Sequence, residues 1–251
     1  MTAIETDTRA EGAFAMSTGT NYFFTSESVS MGHPDKVSDQ ISDAVLDEMM
    51  AQDPNSRVAC ETMVSTGMAV VAGEVTSKAY VEIPDVVRSA IRHIGYTEAD
   101  MRFDDEACAV LVSLKAQSPN IAQGVDKEGA GDQGLMFGYA CKDTESLAPG
   151  SFMPLPIYIS HRLVDKQAEI RRNDEIPGLR PDAKSQVTFE YDENDKPVRV
   201  HTVVLSTQHG PRWTPEAKQQ ELRKLVIDKI IKPVLGDTWW HDDIVCHVNP
   251  T

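Results

Sequence analysis

No apolar run in this 251-residue chain approaches the length needed to cross a membrane as a helix. The first residues lack the basic start and apolar centre of a secretory signal, and Glu5, Asp7 and Glu11 argue against a mitochondrial transit peptide. Residues 1–20, small and polar, read as a disordered extension. Positive charge is scarce: 24 Lys and Arg stand against 39 Asp and Glu, a net charge of −15, which argues against nucleic acid or an anionic membrane as the main partner. It does not exclude ATP, because a few local cations and a metal can hold phosphates on an acidic protein. Cysteines are few and far apart (Cys60, Cys108, Cys141, Cys246) and show no metal-type pairing, so reduced structural thiols and a cytoplasmic location are expected. Nor is there an obvious Ser-His-Asp or Cys-His arrangement. What remains is ordinary for a soluble globular protein, 41% hydrophobic and 25% charged, and long enough for one large domain or two modest ones.

The most informative segment is Ser28-Val29-Ser30-Met31-Gly32-His33-Pro34-Asp35-Lys36. Pro34 falls where a helix would begin, and Val37, Ile41, Ala44, Val45 and Met49 follow at helical spacing. His33, Asp35 and Lys36 therefore cluster at a helix N-terminus, where unpaired N–H groups and the helix dipole attract anions, phosphates above all. The histidine and lysine supply donors and charge, and the carboxylate suits a Mg²⁺ shared with phosphate. The plain alternative is that Asp35 only stabilises the first turn while the other two are solvated.

Along the chain, Arg57 to Val64 and Met68 to Val75 read as strands joined by the three-residue loop Ser65-Thr66-Gly67. A helix opens at Pro84 and stops at Gly95, and Ala107 to Leu114 forms a further strand. The order recurs: Lys184 to Tyr191 and Val198 to Ser206 form a hairpin, Thr214-Pro215 opens a helix that Gly236 ends, and Ile244 to Val248 closes as a strand. A hairpin, a helix and a strand seen twice give an α+β fold of two similar units, sheets inside and helices outside. The units are placed at 21–120 and 132–251.

Between them, Ala116 to Gly131 is rich in Gly, Asn, Gln and Ser and without hydrophobic period, a solvated connector or a functional loop. Gly129-x-Gly131-x-x-Gly134 spells a dinucleotide fingerprint but lacks the strand before and the helix after, since Leu135 to Ala140 reads as a strand. The glycines instead let backbone approach a ligand, with Asp132 offering a carboxylate. Position 64 pairing with 68 makes Glu61 oppose Val71 and Glu74 oppose Val58, so these carboxylates face opposite sides of the sheet; charged strand residues are otherwise most often solvated. Asp182 and Lys184 occupy alternate positions on one face, a surface charge pair or a place for an adenosine group and a phosphate.

Three ordered segments carry a resemblance: Phe24 to Lys36, Gly129 to Tyr139, and Arg180-Pro181-Asp182-Ala183-Lys184-Ser185-Gln186-Val187-Thr188. Together they resemble S-adenosylmethionine synthetase (methionine adenosyltransferase) over residues 22 to 251, with one departure, Met31, where an acidic residue is common. The resemblance implies repeated α+β domains related by pseudo-threefold symmetry, of which a complete chain has three. The third would follow Thr251, carrying further phosphate-binding basic residues and a metal-binding aspartate, so the chain is expected to be a fragment or truncated relative, inactive by itself.

The implied reaction joins ATP and L-methionine by attack of the methionine sulfur on C5′, expelling triphosphate that is then hydrolysed to pyrophosphate and phosphate. A thioether carries no proton, so no general base is required; alignment and charge neutralisation do the chemistry. The resemblance gives His33, Lys36 and Lys184 the catalytic contacts to phosphate, and ATP the residues His33, Asp132, Asp182, Ala183 and Lys184. It gives methionine Glu74 and Gln117, Mg²⁺ the carboxylate of Asp35, and K⁺ that of Glu61. It makes 116–131 a movable lid and implies a homodimer or dimer of dimers with the active site between subunits. The contrasting expectation is a non-catalytic truncated paralogue that binds nucleotide or docks on a complete synthetase.

Overall fold

The computed structural model describes residues 20–117 and 133–250. Two mixed sheets organise them. Strands β2 (Arg57–Ser65), β3 (Met68–Thr76) and β4 (Ala109–Ala116) form one in that order; β1 (Tyr22–Val29), β5 (Leu179–Tyr191), β6 (Pro197–His209) and β7 (Val245–Val248) form the other in the order β1-β5-β6-β7. In both, the hairpin is antiparallel and the strand after the following helix adds parallel to the hairpin's second strand. The repeat is larger than the sequence implied, because each hairpin is also preceded by a long helix: α1 (Pro34–Gln52) before β2 and α3 (Leu155–Arg172) before β5. Helix α2 (Ile83–Ile94) separates β3 from β4; α4 (Glu216–Val226), a π-helical turn at Ile227–Ile231 and α5 (Lys232–Trp239) separate β6 from β7.

Local chemistry explains the elements that hold the site. Pro34 opens α1 with its φ already set for a helix, and Val37, Ile41, Val45 and Met49 bury one stripe. Ile83, Val87, Ile91 and Ile94 do the same for α2, which Gly95 ends with φ 108°, a left-handed conformation that a Cβ would strain. Each such side chain contributes roughly 1.5–3 kcal/mol by leaving water. These two stripes meet Ala69 and Val71 of β3 in one core. The second core joins Leu155, Ile159, Leu163 and Ile170 of α3 to Val187, Phe189, Val203 and Leu205 of the larger sheet, with Leu222 and Val226 of α4.

Three sequence expectations are corrected, and two elements had not been read. Ser65 pairs with Met68, so the first hairpin loop has two residues, Thr66 and Gly67, and the register moves by one. Glu61 then opposes Ala72 and Glu74 opposes Ala59, which puts both carboxylates on the same face, the one turned away from α1 and α2. Residues Leu135 to Ala140 are not a strand: they have no ladder partner among the described residues, and Leu135, Met136, Phe137 and Tyr139 are exposed. Helix α3 went unread, and so did β1. That strand sits not with the first hairpin but along β5, in register from Tyr22↔Tyr191 to Val29↔Lys184.

Candidate active site

The pairing of β1 with β5 decides the geometry. The chain leaves β1 at Val29 and must enter α1 at Pro34, so residues 30–33 are delivered to the start of β5. There they are tied from several sides. Ser30 donates its N–H to Ala183 O at 2.8 Å. Its hydroxyl donates to Pro181 O at 2.8 Å and accepts from Ala183 N–H at 2.7 Å. Gly32 lies so close to β5 that a Cβ placed on it would stand 2.3 Å from the carbonyl carbon of Pro181, which is why no larger residue fits. Gln40 donates to Met31 O at 2.8 Å, and the Tyr96 hydroxyl donates to Gly32 O at 2.6 Å. Met31, the departure noted above, faces two cations: its sulfur accepts from Arg172 Nη2 at 3.1 Å and lies 4.0 Å from Arg171 Nη2.

This stitching puts His33 at the N-cap of α1 and beside Asp182. His33 Nδ1 accepts the Asp35 backbone N–H at 3.2 Å, so a neutral ring carries its proton on Nε2, the nitrogen turned from the helix. The Asp35 carboxylate lies 3.7 Å from Nδ1, an ion pair only if that nitrogen is protonated, and a protonated Nδ1 could not accept the amide. The hydrogen bond is the stronger reading of this geometry. Burial pushes the Asp182 carboxyl above the usual carboxylate range, an effect that His33 offsets in part only when its ring is charged.

The lysines stand at the rim, each on an exposed carboxylate: Lys36 Nζ on Asp39 Oδ2 at 2.6 Å, Lys184 Nζ on Glu27 Oε1 at 3.1 Å. Exposed pairs of this kind contribute about 0–1 kcal/mol, so a phosphate can take over either ammonium at little cost. Glu27 is a site neighbour that sequence reasoning passed over, although it lies inside the first resemblance segment.

A second group forms on the smaller sheet. Gln117 donates its backbone N–H to Val75 O at 3.1 Å, and its side-chain carbonyl accepts from the Thr76 hydroxyl at 3.3 Å. Glu74, two residues back on β3 and opposite Lys115, shares that strand end. Glu61 lies on the same face, and with Asp35, Asp39 and Asp43 it also borders a groove of about 440 Å³ along the β2 edge. Among the described residues no three His, Cys, Asp or Glu side chains converge as a metal cage. A Mg²⁺ that arrives with a phosphate chain needs only one or two protein carboxylates, and Asp35, 86% exposed, presents one. Asp132, residues 118–131 of the expected lid, and Gly129 and Gly131 lie outside the described residues.

A helix N-terminus with an imidazole N–H, two rim ammonium groups and an exposed carboxylate is a donor set that can receive a phosphate chain. The comparison with known families specifies the kind of protein that carries it. Residues 21–119 match the family model described as S-adenosylmethionine synthetase, N-terminal domain, and residues 127–251 match the one described as S-adenosylmethionine synthetase, central domain. The chain belongs to the S-adenosylmethionine synthetase family. No helix of the described residues is long and apolar enough to cross a membrane.

Proposed function

We propose that this chain supplies the phosphate-handling part of a methionine adenosyltransferase, which joins ATP and L-methionine into S-adenosylmethionine and releases phosphate and pyrophosphate. The observation that carries the reading is the seam between residues 30–33 and β5, which brings His33 within electrostatic reach of Asp182 with Lys184 at its rim. In this reading His33 Nε2–H donates to the phosphate chain near the leaving oxygen, where negative charge grows as the sulfur displaces it. Lys36 and Lys184 trade their exposed carboxylates for phosphate oxygens. Asp182 and Ala183 take the nucleotide, and Asp132 joins them. Glu74 and Gln117 take the amino acid, and the shared strand end supports their acting together. Asp35 holds the Mg²⁺ that neutralises phosphate charge, and Glu61 serves K⁺. The protein works in the cytoplasm as a homodimer or dimer of dimers, its site completed across the subunit interface.

The test is an assay of ATP, methionine, Mg²⁺ and K⁺ with the product of the whole reading frame containing this chain, and in parallel with residues 1–251. S-adenosylmethionine formed by the former and abolished by His33→Ala is the expected result. ATP binding without any S-adenosylmethionine from either protein would replace the reading with the non-catalytic nucleotide binder.

A further inference from the structure

The peptide plane linking Gly32 to His33 is gripped at both of its polar atoms. On one side the His33 N–H donates to Ser30 O at 3.0 Å. On the other, Gly32 O accepts the hydroxyl of Tyr96 at 2.6 Å, in a bond shielded from water and sixty-four positions away in sequence. The rest of the Tyr96 side chain is apolar: its ring is buried, packed edge-on against Phe103 with centroids 5.4 Å apart. Burial also pushes its hydroxyl well above the usual tyrosine range, so it remains a donor at any working pH. Its own position is fixed in turn. Tyr96 follows Gly95, the cap of α2, and there Arg171 of α3 donates to Ile94 O at 2.8 Å. A Cβ on Gly95 would stand 2.3 Å from Arg171 Nη1 and push that guanidinium aside, and the φ of 108° there strains any residue but glycine.

From this geometry we infer that Tyr96 is a positioning residue for His33, a role that no resemblance segment assigns. The inference rests on the proposed function for its catalytic consequence, but its structural content is independent of it. Orienting the 32–33 peptide orients the His33 Cα–Cβ bond, and therefore the direction in which Nε2–H points. A group that must meet charge developing on one oxygen is sensitive to such direction, since errors near 1 Å cost on the order of 10²-fold in rate. Ser30 alone cannot set it: a single bond at the N–H leaves the plane able to rotate about that contact.

The experiment is Tyr96→Phe in the whole product of the reading frame, with Ile91→Val as a control that loosens the same helix core without touching the hydroxyl. Tyr96→Phe should lower kcat by roughly 10–100-fold while the KM for methionine stays within about twofold, and the His33 ring resonances should move. Ile91→Val should lower the melting temperature but leave kcat and those resonances unchanged. A Tyr96→Phe protein with wild-type kcat and unmoved His33 resonances would overturn the inference. If the unsubstituted protein forms no S-adenosylmethionine, the functional reading fails by itself. The Tyr96 role is then judged on the resonances and on affinity for inorganic tripolyphosphate: both unmoved refutes it, both altered upholds it. Should Tyr96→Phe fail to fold, a fluorotyrosine at position 96 keeps ring and hydroxyl but changes donor strength. A shift of the His33 signals is then expected, and its absence would refute the role.

Discussion

Replacing Gly32 by alanine tests the seam on which the site depends. The added Cβ would lie 2.3 Å from the carbonyl carbon of Pro181 and 2.4 Å from its oxygen, whereas ordinary contact begins at 3.4 Å. Either the 30–33 turn or the start of β5 must withdraw by roughly 1 Å, because the obstacle is backbone and not the tip of a side chain. Overpacking costs about 1–3 kcal/mol, and a wall already hydrogen-bonded to Ser30 puts Gly32→Ala at about 3 kcal/mol, or a fall of roughly 6–12 °C in melting temperature. The same displacement moves His33 from the position in which it is proposed to meet phosphate, with an expected loss on the order of 10²-fold in rate. Thermal unfolding and the rate of S-adenosylmethionine formation measure the two effects, and calorimetric titration with ATP or tripolyphosphate reads the phosphate contact itself. Gly138→Ala is the control: nothing lies within 4 Å of a Cβ there, and a change below about 0.5 kcal/mol is expected. If Gly32→Ala melts like Gly138→Ala and binds phosphate like the unsubstituted protein, the close approach to Pro181 is not what fixes the turn.

Two further substitutions probe the same seam. Ser30→Ala removes both hydroxyl bonds and leaves the buried Ala183 N–H and Pro181 O short of a partner; a loss of about 2–4 kcal/mol is expected in urea unfolding with an unchanged m-value, and a loss below about 0.5 kcal/mol would contradict the assigned bonds. Asp182→Asn acts oppositely on stability and binding. Because burial raises the folded carboxyl, ionised Asp182 costs stability as pH rises through its folded value, so the variant should melt higher at pH 7, the gain should shrink toward pH 4, and ATP affinity should fall. A lower melting point at pH 7 would show the carboxylate to be satisfied in the fold.

What the sequence made legible was what depends on near neighbours. Pro34 at a helix start, the four-residue spacing to Met49 and the glycine after Ile94 are local signals, and the helices lie where they indicate. Helix α3 carries a similar signal, Leu155, Ile159, Leu163 and Ile170, yet its buried face also holds Ser160 and Gln167. Both are there for partners elsewhere: Ser160 donates to Ser26 O of β1, and Gln167 to Arg180 O and the Thr207 hydroxyl. Buried polar residues interrupt the stripe, so the pattern understates the helix. The first hairpin failed differently. Ser65 and Met68 can face each other or not with equal local plausibility, and a one-residue choice reverses the side on which Glu61 and Glu74 stand. Leu135 to Ala140 has strand composition, but a strand exists only where another edge pairs with it, and composition cannot supply the edge.

The contacts that build the site were illegible for a stronger reason: they join residues far apart in sequence. Ser30 meets Pro181 and Ala183, Tyr96 meets Gly32, Arg171 meets Ile94, and Arg180 pairs with Asp100. Each crosses between the two halves or between helices of one half, and their common effect is to make the turn before α1 the meeting point of both units. That placement follows from β1, the first described strand, completing the sheet of the second unit while the helix it leads into covers the sheet of the first. Neither unit by itself would then present His33 to Asp182. The arrangement also carries a strain that folding alone does not require. A partly buried carboxylate at Asp182 raises the energy of the folded state, and Met31 offers Arg171 and Arg172 only a weak sulfur acceptor. A protein selected for stability alone would place an amide at 182 and a carboxylate at 31. Two such costs at one turn are what the proposed binding surface asks of the fold that holds it.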